Sequence, residues 1–160
     1  MANCTVVTAL MASCAIVLGA QSASAAAVSC PNAGFTEIEA KASPLTRDVV
    51  GGPKGLLHVH REQLTNTSDL TEIKLAGDQY DTLILLKFTP EAAKRLHDAT
   101  TNRSGMRGAF VVGDRALSAV TWEGPYGMDA DLGIQISLGR SVPQIRPLIA
   151  AVQTCVSKGG

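Results

Sequence analysis

The segment from Phe88 to Leu138 constrains the fold more than any other part of this sequence, because it joins a capped helix, a hairpin and an alternating strand. Thr89–Pro90 predicts a helix start, since the threonine hydroxyl can accept a backbone N–H and proline suits the first helical position. Gly113–Asp114 favours a tight turn between two apolar strands. In Leu132–Leu138, apolar and polar residues alternate, which is typical of a strand with one buried face.

Similar patterns place the remaining elements and predict the fold class. Further strands are predicted at Phe35–Ala40, Leu56–His60, Glu72–Leu75, Thr82–Phe88, Ala109–Val112 and Ala116–Trp122, and a last helix at Ser141–Val152. The prolines and glycines between Ser43 and Gly55 indicate a loop. The sequence therefore predicts an α+β fold, with an antiparallel (mixed) sheet and two main helices packed on one face.

Residues 1–27 are predicted to form a signal peptide. An apolar run at Thr5–Ala20 is followed by small residues, and cleavage is expected near Ala26 or Ala27. The run is shorter than the roughly 20 residues that a membrane-spanning helix needs. We therefore expect an exported protein, periplasmic or extracellular, with no membrane span in the mature chain. Retention of the leader and lipidation of Cys30 are the alternatives.

The length of 160 residues suits one domain after the leader. Residues 28–54 are predicted to form an N-terminal strand and loop, residues 55–153 the main domain and residues 154–160 a C-terminal tail. The 14 basic and 14 acidic residues give no net charge. A nucleic-acid-binding protein normally carries a basic excess, so no nucleic-acid partner is expected.

Two cysteines remain in the mature chain, Cys30 near its start and Cys155 near its end. Export implies an oxidising compartment, in which two cysteines normally pair, so a disulfide between them is predicted. Two separate free thiols are the alternative.

The sequence contains no recognisable catalytic constellation. It has no Gly-x-Ser-x-Gly nucleophile elbow and no phosphate-binding loop. His58 and His60 project from one face of a strand, but a zinc site needs a third or fourth ligand, so an ordinary hydrated face is favoured. Glu37 and Glu39 are interpreted as a solvated strand edge. We therefore expect no enzyme activity, no metal and no cofactor.

The candidate binding patch consists of Trp122, Tyr126, His58 and His60. The two aromatic residues flank a Gly-Pro loop in a chain with only 4% aromatic residues, and such side chains are enriched at protein interfaces. The histidines are placed on the sheet face that the helices leave uncovered. The alternative is that Trp122 closes the end of the core and Tyr126 packs on it.

The order of several short sequence segments resembles that of a known family. Phe88–Leu96 reads Phe-Thr-Pro-Glu-Ala-Ala-Lys-Arg-Leu, Ala109–Val112 reads Ala-Phe-Val-Val, and Ile134–Gly139 reads Ile-Gln-Ile-Ser-Leu-Gly. Together with Leu64–Leu70, this order resembles the SecD and SecDF preprotein-translocase accessory proteins. The similar part is the head subdomain of their first periplasmic domain, and it covers about Leu56–Val152 here.

This resemblance implies a binding function. In the family, the head belongs to a membrane protein that uses proton flow to pull exported chains, whereas no membrane bundle accompanies it in this sequence. The expected function is therefore non-catalytic binding of an unfolded or exported polypeptide, or of translocon or envelope proteins. A small secreted enzyme or ligand carrier on the same scaffold and an envelope-associated structural domain are the alternatives.

Overall fold

The computed structural model describes residues 29–51, 55–77, 82–126, 133–139 and 143–158. Within them the chain forms β1 (Ala33–Glu39), β2 (Thr46–Gly51), β3 (Leu56–His60), a 3-10 turn (Thr67–Asp69), β4 (Leu70–Gly77), β5 (Thr82–Phe88), α1 (Pro90–Thr100), β6 (Arg107–Val112), β7 (Arg115–Thr121), β8 (Ile134–Gly139) and α2 (Arg146–Val156). No helix among the described residues is long and apolar enough to cross a membrane.

The strands form two assemblies rather than the single predicted sheet. β1, β3, β2, β7 and β6 close into a barrel in that order, and β4, β5 and β8 form a separate three-stranded sheet. The strand pairs are antiparallel except β2 with β7, which are parallel through Val50–Arg115 and Gly51–Ala116. The α+β class is therefore confirmed, whereas the single sheet is corrected to a barrel and a sheet.

The loop predicted between Ser43 and Gly55 is wrong at Thr46–Gly51, which forms β2. Val49 is the one fully buried apolar side chain of this strand, and an Arg-Asp pair precedes it. Such a short pattern carries little strand signal. The strand forms because β3 and β7 pair with its two edges.

The predicted start of α1 is confirmed, because Thr89 accepts a hydrogen bond from the Ala92 N–H at 3.3 Å and Pro90 opens the helix. The predicted hairpin of β6 and β7 is also present, and Gly113 in its turn has a φ of 61°. The last helix differs in its bounds, since it begins at Arg146 and continues to Val156. The predicted Ser141 start and the Leu132 strand start lie outside the described residues.

The main core lies where the barrel meets the sheet. Phe35 of β1 packs against Phe110 of β6 with ring centroids 5.4 Å apart, and against Phe88 of β5 at 6.2 Å. These rings belong to a buried cluster that also includes Ile84 and Leu86 of the sheet. Aromatic pairs of this kind contribute about 0.5–1.5 kcal/mol each beyond their buried area.

Both helices contribute to this main core, α1 through Ala92 and Leu96 and α2 through Ile149 and Val152. Barrel strands close the same core, so the predicted packing of two helices on one face of a single sheet is not confirmed. The barrel interior is a second, smaller cluster of short side chains. It consists of Val49, Val59, Ala109, Val111 and Ala116.

The predicted pairing of Cys30 with Cys155 is confirmed, because the two residues form a disulfide with Cα atoms 5.8 Å apart. The bond joins the segment before β1 to the last turns of α2. A disulfide is compatible with an exported protein, since oxidising compartments preserve such bonds.

We expect reduction of this disulfide to lower the free energy of unfolding by about 4–5 kcal/mol, because the bond closes a very long loop in the unfolded chain. Urea denaturation with and without a reducing agent measures the difference. The double variant Cys30→Ser, Cys155→Ser should match the reduced protein and be insensitive to the reductant. An unchanged midpoint on reduction would contradict this assignment of stability.

Candidate functional site

Trp122 follows β7 directly and is fixed by the barrel. Its backbone N–H donates to the Met106 carbonyl at 2.9 Å, and its carbonyl accepts from the Gly105 N–H at 2.8 Å. The indole lies over Gly108, where a Cβ atom would overlap the ring. Glycine at this position therefore makes room for the indole, and Trp122 is only 1% exposed.

Tyr126 lies in the segment that follows β7 and is half-buried against the main core. Its backbone N–H donates to the hydroxyl of Thr100 at 2.9 Å, and that hydroxyl donates to the Leu96 carbonyl at 2.7 Å. Thr100 is fully buried, so the contact ties this segment to the last turn of α1. The two predicted aromatic residues are thus brought together, one in the core and one at its rim.

An apolar pocket with a cavity volume of about 50 Å³ lies between these aromatic residues and the sheet. Its lining comes from β1, α1, β7, the following loop and β8: Phe35, Leu96, Val120, Trp122, Tyr126, Ile134, Gln135 and Ile136. A space of this size suits one side chain, whereas pockets for small organic ligands typically measure about 300–1,000 Å³.

The pocket borders β8, which is an edge strand among the residues that the structure describes. β8 pairs with β5 on one side, and no described strand pairs with its other side. The opposite edge of the sheet is β4, and α2 packs there. In particular, the side chain of Gln153 donates to the Ile73 carbonyl at 2.9 Å. Among the described residues, β8 is therefore the edge of this sheet that no further strand pairs with, although it also contacts β7. An unpaired edge of this kind is one that another chain can join.

His58 and His60 lie on the barrel strand β3, apart from the aromatic pair. In the barrel, β2 separates β3 from β7 on one side, and β1 and β6 separate them on the other. The ring of His58 contacts Asp48 at 2.7 Å (Nδ1 to Oδ1), and the ring of His60 contacts Glu39 at 2.9 Å (Nε2 to Oε1). The candidate binding patch stays a prediction. Its two histidines lie on β3, whereas its two aromatic residues lie after β7.

The fold brings together three residues that are separate in the sequence patterns, two glutamates of β1 and one histidine of β3. Glu37, Glu39 and His60 each offer one oxygen or nitrogen atom, and these atoms lie within 4.8 Å of one another. The side chain of Glu37 is 13% exposed and also forms an ion pair with Arg103. The period-two spacing of each pair was visible in the sequence, but the pairing of β1 with β3 was not.

Two surface carboxylates elsewhere, Glu72 and Asp98, are paired with lysines. A hydrogen bond from Lys74, together with the charge of Lys87, holds the pKa of Glu72 below its ordinary value. Lys94 lies one helical turn before Asp98, and its Nζ is 2.6 Å from Oδ2 of that residue. This contact lowers the pKa of the Asp98 carboxyl. These pairs lie on the sheet and on α1, and none of their residues belongs to the pocket lining or to the cluster on β1 and β3.

Comparison with known proteins finds structural similarity to SecDF. No protein-family model matches the chain, and no curated protein matches it. The crystal structure of SecDF in a super-membrane-facing form is similar, with a TM-score of 0.55 and 20% identity over 78% of this chain and 19% of that one. A second SecDF structure, of a membrane component that enhances protein export, gives a TM-score of 0.52 and 19% identity over 78% of this chain and 62% of that one. The chain therefore has a SecDF-like fold and spans less than two thirds of either protein.

We expect the two aromatic residues to differ in their effect on stability. Trp122→Ala should lower the free energy of unfolding by about 3–5 kcal/mol, because it empties a fully buried indole site. Tyr126→Ala should cost only about 1–2 kcal/mol, because the ring is half-exposed. Urea denaturation of both variants tests this order. Equal and small losses would show that Trp122 is not a core residue.

Proposed function

We propose that this chain is an exported, non-catalytic module that binds extended polypeptide segments, in the way implied for the head subdomain of the SecDF periplasmic domain. The SecDF-like fold over 78% of the chain is the observation that carries the proposal. One of these similar proteins is a membrane component that enhances protein export, which supports a link to export here.

In this proposal, the edge of β8 binds the backbone of the polypeptide. An extended polypeptide can add to an edge strand through its own backbone N–H and C=O groups. Such hydrogen bonds do not depend on side-chain identity, so one edge can accept many different sequences. This suits a protein that meets exported chains before they fold.

In the same proposal, the pocket beside β8 binds a side chain of the polypeptide. Alternate side chains of an added strand point to the same side. One of them could enter the cavity that Trp122, Tyr126 and Ile136 help to line. We therefore assign Trp122 and Tyr126 to this role, with Trp122 as the fixed wall and Tyr126 as the accessible rim. His58 and His60, which contact carboxylates, are left outside it.

We expect the full-length chain, expressed for export and purified in its disulfide-bonded form, to bind a reduced and carboxymethylated protein that cannot refold. The same protein in its native, folded state should not bind. Tyr126→Ala should weaken binding about 5- to 30-fold, the effect of losing 1–2 kcal/mol at an interface. Isothermal titration calorimetry measures the affinity in each of these cases.

Leu45→Ala is the matched control, because Leu45 is also apolar, is 67% exposed and lies in the loop before β2 on the barrel. It should bind as the unmodified protein does. A short extended peptide with alternate amides N-methylated should bind more weakly than its parent, since it cannot donate all edge hydrogen bonds. Equal binding of folded and unfolded protein, or no binding, contradicts the proposal.

A ligand carrier is the second candidate, and a larger cavity favours it. A space of about 480 Å³ lies beside the disulfide, with Cys30, Cys155, Leu70, Thr71 and Thr89 among its lining residues. This volume is within the range of small-molecule sites. A small molecule retained through purification and seen by native mass spectrometry would support this candidate over polypeptide binding.

A further inference from the structure

We propose that Glu37, Glu39 and His60 form a zinc-binding site on the outer surface of the barrel. A zinc ion bound there would link β1 to β3. The two glutamates are two residues apart on β1 and therefore project from the same face. His58 lies opposite Glu39 in the pairing of β1 with β3, and His60 is the next residue of β3 on that face. The site is independent of the polypeptide-binding pocket.

The distances are close to those that a zinc ion requires. Ligand atoms around a tetrahedral zinc lie about 3.4 Å apart, given bonds of about 2.1 Å. Nε2 of His60 and Oε1 of Glu39 are already 2.9 Å apart, and the three donor atoms lie within 4.8 Å of one another. The distances need small adjustments to match this geometry, and the side chain of Glu39, which is 45% exposed, has room to move.

The chemistry of the donors favours zinc over alkaline-earth ions. An imidazole nitrogen is a good ligand for zinc, whereas magnesium and calcium prefer oxygen ligands alone. Two carboxylates neutralise the charge of the ion. Three protein ligands leave a fourth position for water, as in zinc sites that are open to solvent.

Arg103 makes the proposal more specific. Its guanidinium pairs with Glu37, whose side chain is only 13% exposed. The guanidinium positions this carboxylate and also competes with a cation for its charge. Removing the guanidinium should therefore strengthen zinc binding, the opposite of what loss of a ligand would do.

His58 of β3 and Asp48 of the neighbouring strand β2 provide a matched control. Their side chains are also paired, at 2.7 Å, and are 31% and 53% exposed. Among the described residues, the only group of three or more His, Cys, Asp and Glu ligands is the one with His60. Zinc affinity should therefore depend on His60 and not on His58.

The test is calorimetric titration of the full-length chain with Zn²⁺, after expression for export, purification without a histidine tag and treatment with a chelator. We expect one saturable site per chain and no comparable binding of Mg²⁺. His60→Ala and the near-isosteric Glu39→Gln should each weaken Zn²⁺ binding at least about tenfold. His58→Ala should leave it unchanged, and Arg103→Gln should tighten it.

The absorption spectrum with Co²⁺ gives a second readout, because a four-coordinate imidazole–carboxylate site has characteristic visible bands that His60→Ala should remove. Thermal unfolding confirms that each variant is folded. Absent binding, binding that survives in His60→Ala, or equal loss in His58→Ala overturns the proposal. Unchanged binding in Glu37→Gln shows that Glu37 is not a ligand and overturns the three-residue site, and unchanged or weaker binding in Arg103→Gln contradicts the competition between its guanidinium and zinc.

Discussion

The packing of Phe35 between Phe88 and Phe110 is the contact on which the arrangement of this protein depends. It joins a barrel strand to the three-stranded sheet, and the two strand assemblies share the core that surrounds these rings. The barrel interior, with its short side chains, is too small to stabilise a domain alone. The sheet has only three strands and needs a covered face. Each assembly therefore depends on the other through this shared core.

This contact also explains where the candidate sites lie. Alternation along β1 places Phe35, Glu37 and Glu39 on the outer face of the barrel. The first of these residues enters the main core and helps to line the apolar pocket, whereas the other two emerge from that core toward β3 and meet His60. One strand thus contributes to an apolar site at one end and to a polar site at the other.

The features that could be predicted from the sequence depend on local signals. The Thr89–Pro90 helix start, the Gly113 turn and the alternation near Ile134–Leu138 each involve neighbouring residues, and the structure contains all three. The Cys30–Cys155 pair was predictable because the expected export and the presence of two cysteines after the predicted leader left few choices. Such signals determine elements, and they do not determine which elements meet.

The features that could not be predicted depend on distant pairing. β2 has one fully buried apolar side chain, and only its pairing with β3 and β7 makes it a strand. Closure of the barrel depends on that same parallel contact between β2 and β7. The cluster of Glu37, Glu39 and His60 likewise exists only because β1 pairs with β3. Trp122 was open to two interpretations, since burial depends on Gly108 across the hairpin.

The two proposed sites are expected to act independently, although β1 contributes to both. Coupling between sites requires an element with two arrangements that each ligand favours differently. β1 pairs with β6 over Ala33–Glu37 and with β3 at Ile38 and Glu39, and Phe35 is held between two rings. We do not expect a strand restrained in this way to adopt a second arrangement, so zinc bound at the proposed site should leave the pocket that Phe35 lines unchanged. Because a fold can host unrelated functions, each site has to be judged by its own chemistry.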